Sequence, residues 1–257
     1  MELTRYGLVV VAGFFAGIIN TLAGSGSLIT LPVLIFLGLP ATVANGTNRI
    51  GVVLQNVVAG LSFRRQGVLD GRGALILSTT AILGSLLGAQ IAVNLDEALM
   101  QRTIGVVMVL MLFVIVLRPQ RWLQGKLLRL EGWATWRQHA AMFVIGMYGG
   151  FIQAGVGIFM LAALVLVIGY DLVRANAVKI VVILIFTVFA LGVFVRNGQV
   201  DWGMGLLLAI GNMLGAWTAA RVAVERGAAW VRKVLIVVVT LSAGYLLGVF
   251  EWLGRLL

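Results

Sequence analysis

Ten apolar runs separated by short polar breaks govern what this chain can become: about 6–22, 27–39, 41–63, 73–93, 103–117, 140–155, 156–169, 173–195, 203–224 and 232–250. A helix of about 20 such residues crosses a hydrocarbon core of about 30 Å, and it satisfies its own backbone polar groups, which lipid cannot do. The chain is 61% apolar and 11% charged, whereas soluble domains are about a quarter charged. The expected class is all-α, a polytopic membrane protein.

Two runs, 27–39 and 156–169, reach only about 20 Å as helices. Each begins beside a glycine cluster, Gly24-Ser25-Gly26-Ser27 and Gly155-Val156-Gly157. The first two segments of each half are therefore expected to be short, broken or re-entrant, with unwound backbone buried in protein. Ten plain crossings are the alternative.

Shifted against itself by 131 residues, the chain aligns Ala23 with Ala154, Gly24 with Gly155, Gly26 with Gly157, Gly38 with Gly169, Ala44 with Ala175 and Asn45 with Asn176. The same register pairs Phe63 with Phe194, Arg65 with Arg196, Gly67 with Gly198, Asp70 with Asp201 and Gly84 with Gly215. The expectation is a duplication of five segments, as in secondary transporters. It divides the chain into a first transmembrane repeat (1–117), a basic amphipathic linker (118–138) and a second repeat (139–257).

An odd number of crossings per copy inverts the second copy. Lys and Arg collect in inside-facing loops, and the linker carries Arg118, Arg121, Lys126, Arg129 and Arg137 against Glu131. With the linker inside, the basic loop of Arg64, Arg65 and Arg72 is also inside, and its repeat mate around Arg196 and Asp201 falls outside. Both termini then face outward. The Trp-rich linker has the composition of an interfacial helix, and the first run is kept as a segment instead of a signal peptide, because Glu2 offsets Arg5 and the would-be cleavage sequence recurs at 154–157.

The chain has no cysteine, one histidine and nine carboxylates, which excludes disulfides, thiolate catalysis and thiolate-held clusters and leaves little for a metal site. No enzyme activity and no cofactor are expected. The net charge of +10 is explained by topology, so no nucleic-acid partner is inferred.

The glycine clusters have two readings. Half-helices that start inside the membrane aim N–H groups and a positive dipole end into the protein, and glycine lets an anion reach that backbone. Under this reading Gly24, Ser25, Gly26, Ser27, Gly155 and Gly157 bind substrate. The other reading is close helix packing through small residues. The third segment carries Asn45, Asn48, Arg49 and Asn56 on one helical face, and its partner carries Asn176, Lys179 and Thr187. A cation deep in a membrane helix costs about 2.5–3.5 kcal/mol on insertion scales, and an anionic substrate would supply the counter-charge for Arg49 and Lys179. Snorkelling, or a distant carboxylate, is the alternative for these cations, and helix–helix hydrogen bonding is the alternative for Asn45 and Asn176. Asn20 and Gln153, beside the breaks, complete the candidate substrate-binding set. No carboxylate lies inside a segment, so a buried Asp/Glu proton relay is not expected.

The run Gly17, Asn20, Ala23-Gly24-Ser25-Gly26-Ser27, Leu31-Pro32, Gly38, Ala44 and Thr47-Asn48 resembles the signature of the sulfite exporter TauE/SafE family, also called toluene sulfonate uptake permeases. The resemblance covers the whole chain, though Ala163 stands at the place of Pro32 and Lys179 at that of Asn48 in the second half. It implies a multi-pass transporter of the bacterial inner membrane that moves sulfite or an organosulfonate. The partners implied are a small anion and the lipid bilayer, and a homo-oligomer is compatible with both. An anion channel or a membrane-embedded sulfur-relay subunit are the rival readings.

Overall fold

The apolar runs become helices with nearly the expected bounds. The computed structural model describes residues 2–117 and 134–222. The helices are α1 (Glu2–Ala23), α2 (Ser27–Phe36), α3 (Ala41–Arg65), α4 (Gly71–Val93), α5 (Glu97–Leu117), α6 (Trp136–Phe151), α7 (Val156–Ala163, continued by a π turn over Leu164–Ile168), α8 (Leu172–Arg196) and α9 (Trp202–Val222). The tenth run and most of the expected linker helix lie outside the described residues. Among the described residues four helices, α1, α4, α5 and α8, are long and apolar enough to cross a membrane; the described residues form helices without strands, as in a polytopic membrane protein.

The starts of α5 and α6 differ from the sequence reading because capping decides them. Helix α5 starts at Glu97, not near 103, since the Asp96 carboxylate accepts from Leu99 N at 2.7 Å and opens the helix before the apolar run begins. Helix α6 starts at Trp136, where Thr135 and Gln138 form a capping box, and it ends at Phe151, so Gln153 lies in the break.

Shifting α3 by the repeat distance lands on α8 residue for residue. The positive-φ glycines also pair in that register: Gly24 and Gly155 (φ 74° and 72°), Gly38 and Gly169 (98° and 92°), Gly67 and Gly198 (71° and 67°). An L side chain rarely adopts these dihedrals, so both halves turn at the same three places. Helices α3 and α8 run antiparallel, with Arg49 against Phe194 at one end and Gly60 beside Ile180 at the other.

The two halves interlock. Helix α1 packs on α9, and α4 packs on α6. Each of these four helices presents a G-x-x-x-G pair: Gly13/Gly17, Gly211/Gly215, Gly84/Gly88 and Gly146/Gly150. A Cβ on Gly17 would lie 2.3 Å from Asn212 O, one on Gly215 2.0 Å from Phe14 O, one on Gly88 1.9 Å from Met147 O and one on Gly150 2.1 Å from Ser85 O. Backbones this close need glycine, the usual means of packing helices where lipid competes equally for apolar side chains. Large apolar side chains such as Leu75, Leu83, Leu110 and Phe113 point outward, as lipid-facing positions should.

Candidate anion site at the helix breaks

Helix α1 ends at Ala23 because Gly24 adopts a left-handed conformation, its N–H returning to Asn20 O at 2.9 Å. The chain reverses through Ser25 and Gly26 into α2. Helix α6 likewise ends at Phe151, and α7 starts after the left-handed Gly155. The two reversals meet. Gly157 N donates to Gly24 O at 3.0 Å, and a Cβ on Gly157 would lie 2.4 Å from Gly24 Cα. A Cβ on Gly26 would lie 2.2 Å from Ala16 O, while Gly155 is covered by the Met111 side chain from α5. Gly24, Gly26 and Gly157 thus serve close backbone packing, and the N–H of Gly157 is engaged by protein.

The polar residues of α3 and α8 reach across to these ends. Arg49, fully buried, donates from Nη1 to Gly149 O at 3.0 Å and from Nη2 to Gly150 O at 2.6 Å, and its guanidinium carbon lies 4.5 Å from the Phe194 ring centroid. Asn45 donates to Phe151 O at 2.8 Å. In mirror fashion Asn176 donates to Thr21 O at 3.0 Å, and Lys179 donates to Asn20 O at 3.3 Å. Each broken helix therefore has its C-terminal carbonyls, the negative end of its dipole, held by a basic side chain and a carboxamide from the other half. Asn48 ties α3 to α2, donating to Ser27 Oγ at 3.0 Å and accepting from Thr30 Oγ1 at 2.5 Å. Gln153 donates to Thr187 Oγ1 at 2.7 Å.

All the side chains expected at the site except those of Asn20 and Asn176 are buried, and all gather around the two breaks. Arg49 holds the end of α6 and Lys179 the end of α1, and the two basic side chains share no hydrogen-bond partner among the described residues. Several buried atoms here lack a partner among the described residues: Ser25 Oγ, Thr21 Oγ1, Arg49 Nε, Asn45 Oδ1, Asn176 Oδ1 and Gln153 Oε1. Unmatched buried polar atoms cost about 1–3 kcal/mol each, and these lie on residues at or beside the two breaks. Thr30 and Phe194 join the centre without having been expected there, a polar residue one turn from Ser27 being the available signal for Thr30; Thr187, read on the polar face of the partner segment but not among the candidate binding residues, joins through Gln153.

An all-helical polytopic membrane protein whose broken helices meet in its interior belongs to the architectural class of membrane transporters. The family comparison is specific: residues 9–246 match the model of "Sulfite exporter TauE/SafE", and the chain belongs to that family. It is 28% identical over 228 residues to "Probable membrane transporter protein ORF9" of Sinorhizobium sp, covering 89% of this chain and 87% of the relative. It is 27% identical over 225 residues to a "Probable membrane transporter protein" of Haemophilus influenzae, covering 88% of each. With "Probable membrane transporter protein YfcA" of Escherichia coli K12 it shares 23% over 254 residues, 96% of this chain and 94% of that one. No solved structure matches the chain. The family and these relatives are described as membrane transporters and not as enzymes, and this chain is a membrane transporter of the TauE/SafE type.

Proposed function

We propose that this protein carries sulfite or a small organosulfonate across the bacterial inner membrane by alternating access, with the anion held where the two breaks meet. The observation that carries this reading is the set of unmatched donors there: Ser25 Oγ and Arg49 Nε, both in fully buried residues. Ser25 lies just before the first turn of α2, where backbone N–H groups and the dipole favour negative charge. Asn48 holds that turn through Ser27, and Arg49 is the adjacent residue on α3.

The two halves act as an inverted repeat. Antiparallel packing of α3 on α8, the paired left-handed glycines and the exchanged contacts of α1 with α9 and α4 with α6 support this arrangement. The centre is closed at both ends of α3. At one end Thr47 Oγ1 accepts from Asp201 N at 2.8 Å and Gln199 Nε2 donates to Val93 O at 3.0 Å; at the other, Tyr170 Oη donates to Asp70 Oδ2 at 2.6 Å. Asp70 and Asp201 hold equivalent positions in the two halves but use different groups, a carboxylate and a backbone N–H.

Sulfite, thiosulfate, sulfoacetate, taurine and sulfate should be compared by thermal shift, and binders then tested for counterflow in proteoliposomes. The carrier reading expects an anion that stabilises the protein and exchanges against an opposing gradient of itself. Flux without counterflow assigns a channel, and absence of binding by every anion refutes the sulfur-anion reading.

A further inference from the structure

Lys179 is matched by the structure to a neutral amine better than to an ammonium. The residue is 1% exposed, and among the described residues its one hydrogen-bond acceptor is Asn20 O, at 3.3 Å. An amine needs few acceptors, whereas an ammonium presents three donors and a full charge, and a buried charge is costly unless paired. The contrast with Arg49 is direct: that guanidinium, which does not deprotonate in proteins, has two carbonyl acceptors and an aromatic face. On the helices packed against α8 the titratable or charged groups are Glu2, Arg5 and Tyr6 (α1), Arg49, Arg64 and Arg65 (α3), Arg72 (α4) and Arg137, His139 and Tyr148 (α6); α7 carries none. Among the described residues the single ion pair is Arg174 with Asp171, so no carboxylate neutralises Lys179 there.

We propose that Lys179 is the proton-coupling group of this transporter, a role that rests on the anion-carrier reading above. In the loaded carrier it is an ammonium whose two remaining N–H donors and charge are balanced by the bound anion. When the anion leaves, the ammonium gives its proton to water on the same side, and the amine keeps its bond to Asn20 O during the return. On the opposite side it takes a proton from water as the next anion binds. One proton thus moves with each monovalent anion in the same direction, and the loaded carrier bears no uncompensated charge at the breaks. Lys179 stands where the first half has Asn48, a residue that cannot titrate, so only one of the two repeats carries the group.

The probe should be methanesulfonate, whose own protonation lies far below the working pH, so that any proton dependence belongs to the protein. Purified wild type, Lys179→Arg and Lys179→Met are reconstituted, and uptake is measured at equal pH and with the outside more acidic by one unit. For the wild type the inference expects up to about tenfold accumulation driven by that gradient, one pH unit being worth about 1.4 kcal/mol per proton. For both variants it expects a ratio near one. A gradient-driven ratio retained by Lys179→Arg overturns the assignment even if Lys179→Met does not fold. Wild-type counterflow of methanesulfonate without any gradient effect overturns the coupling inference while leaving the anion carrier standing, and absence of both binding and counterflow removes both.

Discussion

The two halves share a backbone plan but solve its local problems with different residues. Helices α3 and α8 have equivalent bounds, yet α3 is preceded by Pro40, which has no side-chain acceptor, and α8 by Asp171, whose carboxylate accepts from Val173 N and Arg174 N, each at 3.1 Å. In the first half the missing acceptor comes from α5: Glu97 accepts from Ala41 N, and from Thr42 N and Thr42 Oγ1 at 3.2 Å each. The short helices diverge too. Helix α2 carries Pro32 within its α-helical run, while at the counterpart Ala163 the α-helix gives way to a π turn. The polar groups differ most: Arg49, Gln55 and Asn56 on α3 correspond in register to Ile180, Phe186 and Thr187 on α8. The left-handed glycines recur at equivalent positions, whereas the buried polar positions of α3 and α8 differ.

The sharpest test of the shared plan is Gly157→Val. Its Cβ would enter the backbone of Gly24, and nothing there is a flexible side chain that could yield. Transport should be abolished and the thermal midpoint should fall, since overpacking of a fixed contact costs about 1–3 kcal/mol or more. Gly192, where an added Cβ would meet open space, is the control: Gly192→Ala should transport normally. Normal transport by Gly157→Val would mean that the breaks do not meet as described.

A smaller but still large effect is expected where the halves differ, at Arg49. Arg49→Gln removes a charge and at least one of two charge-assisted bonds, worth about 1.5–3 kcal/mol each, and should weaken both the α6 end and anion affinity. Arg49→Lys keeps the charge but cannot fork across Gly149 O and Gly150 O, so its affinity should fall between those of wild type and Arg49→Gln. Binding measured on monodisperse protein checks the order; equal affinity in all three would take Arg49 out of the site and leave it as a helix-end clamp.

Hydrophobic runs made the helices legible because lipid imposes one requirement on every residue of a span, and the repeat register anticipated the paired left-handed glycines. The G-x-x-x-G pairs that join α1 to α9 and α4 to α6 are also present in the sequence, as Gly13/Gly17 and its three counterparts, but in a chain this rich in glycine the clusters at the breaks stand out first. The partners of Arg49 were not legible at all. A search for a counter-charge looks for Asp or Glu, whereas the acceptors are backbone carbonyls of Gly149 and Gly150, and carbonyls at a helix end have no sequence signature. The same reasoning hid the partners of Asn45 and Asn176, whose donors each close the opposite half's broken helix.

The smallest expected effects concern the two caps. If Glu97 substitutes for the acceptor that Pro40 lacks, Glu97→Ala should destabilise the protein by about 1–2 kcal/mol and Asp171→Ala by about 1 kcal/mol, the usual range for loss of a helix cap. Glu97 should cost more because it also holds the Thr42 hydroxyl and joins α5 to α3. Its removal should loosen α5, the helix that places Met111 against Gly155, whereas loss of the Asp171 cap is confined to the start of α8. Amide exchange separates the two: Glu97→Ala should raise exchange in α5 as well as at Ala41 and Thr42, and Asp171→Ala only at Val173 and Arg174. Equal and purely local effects would show that the carboxylate from α5 is an ordinary cap and that the halves differ there in sequence but not in mechanics.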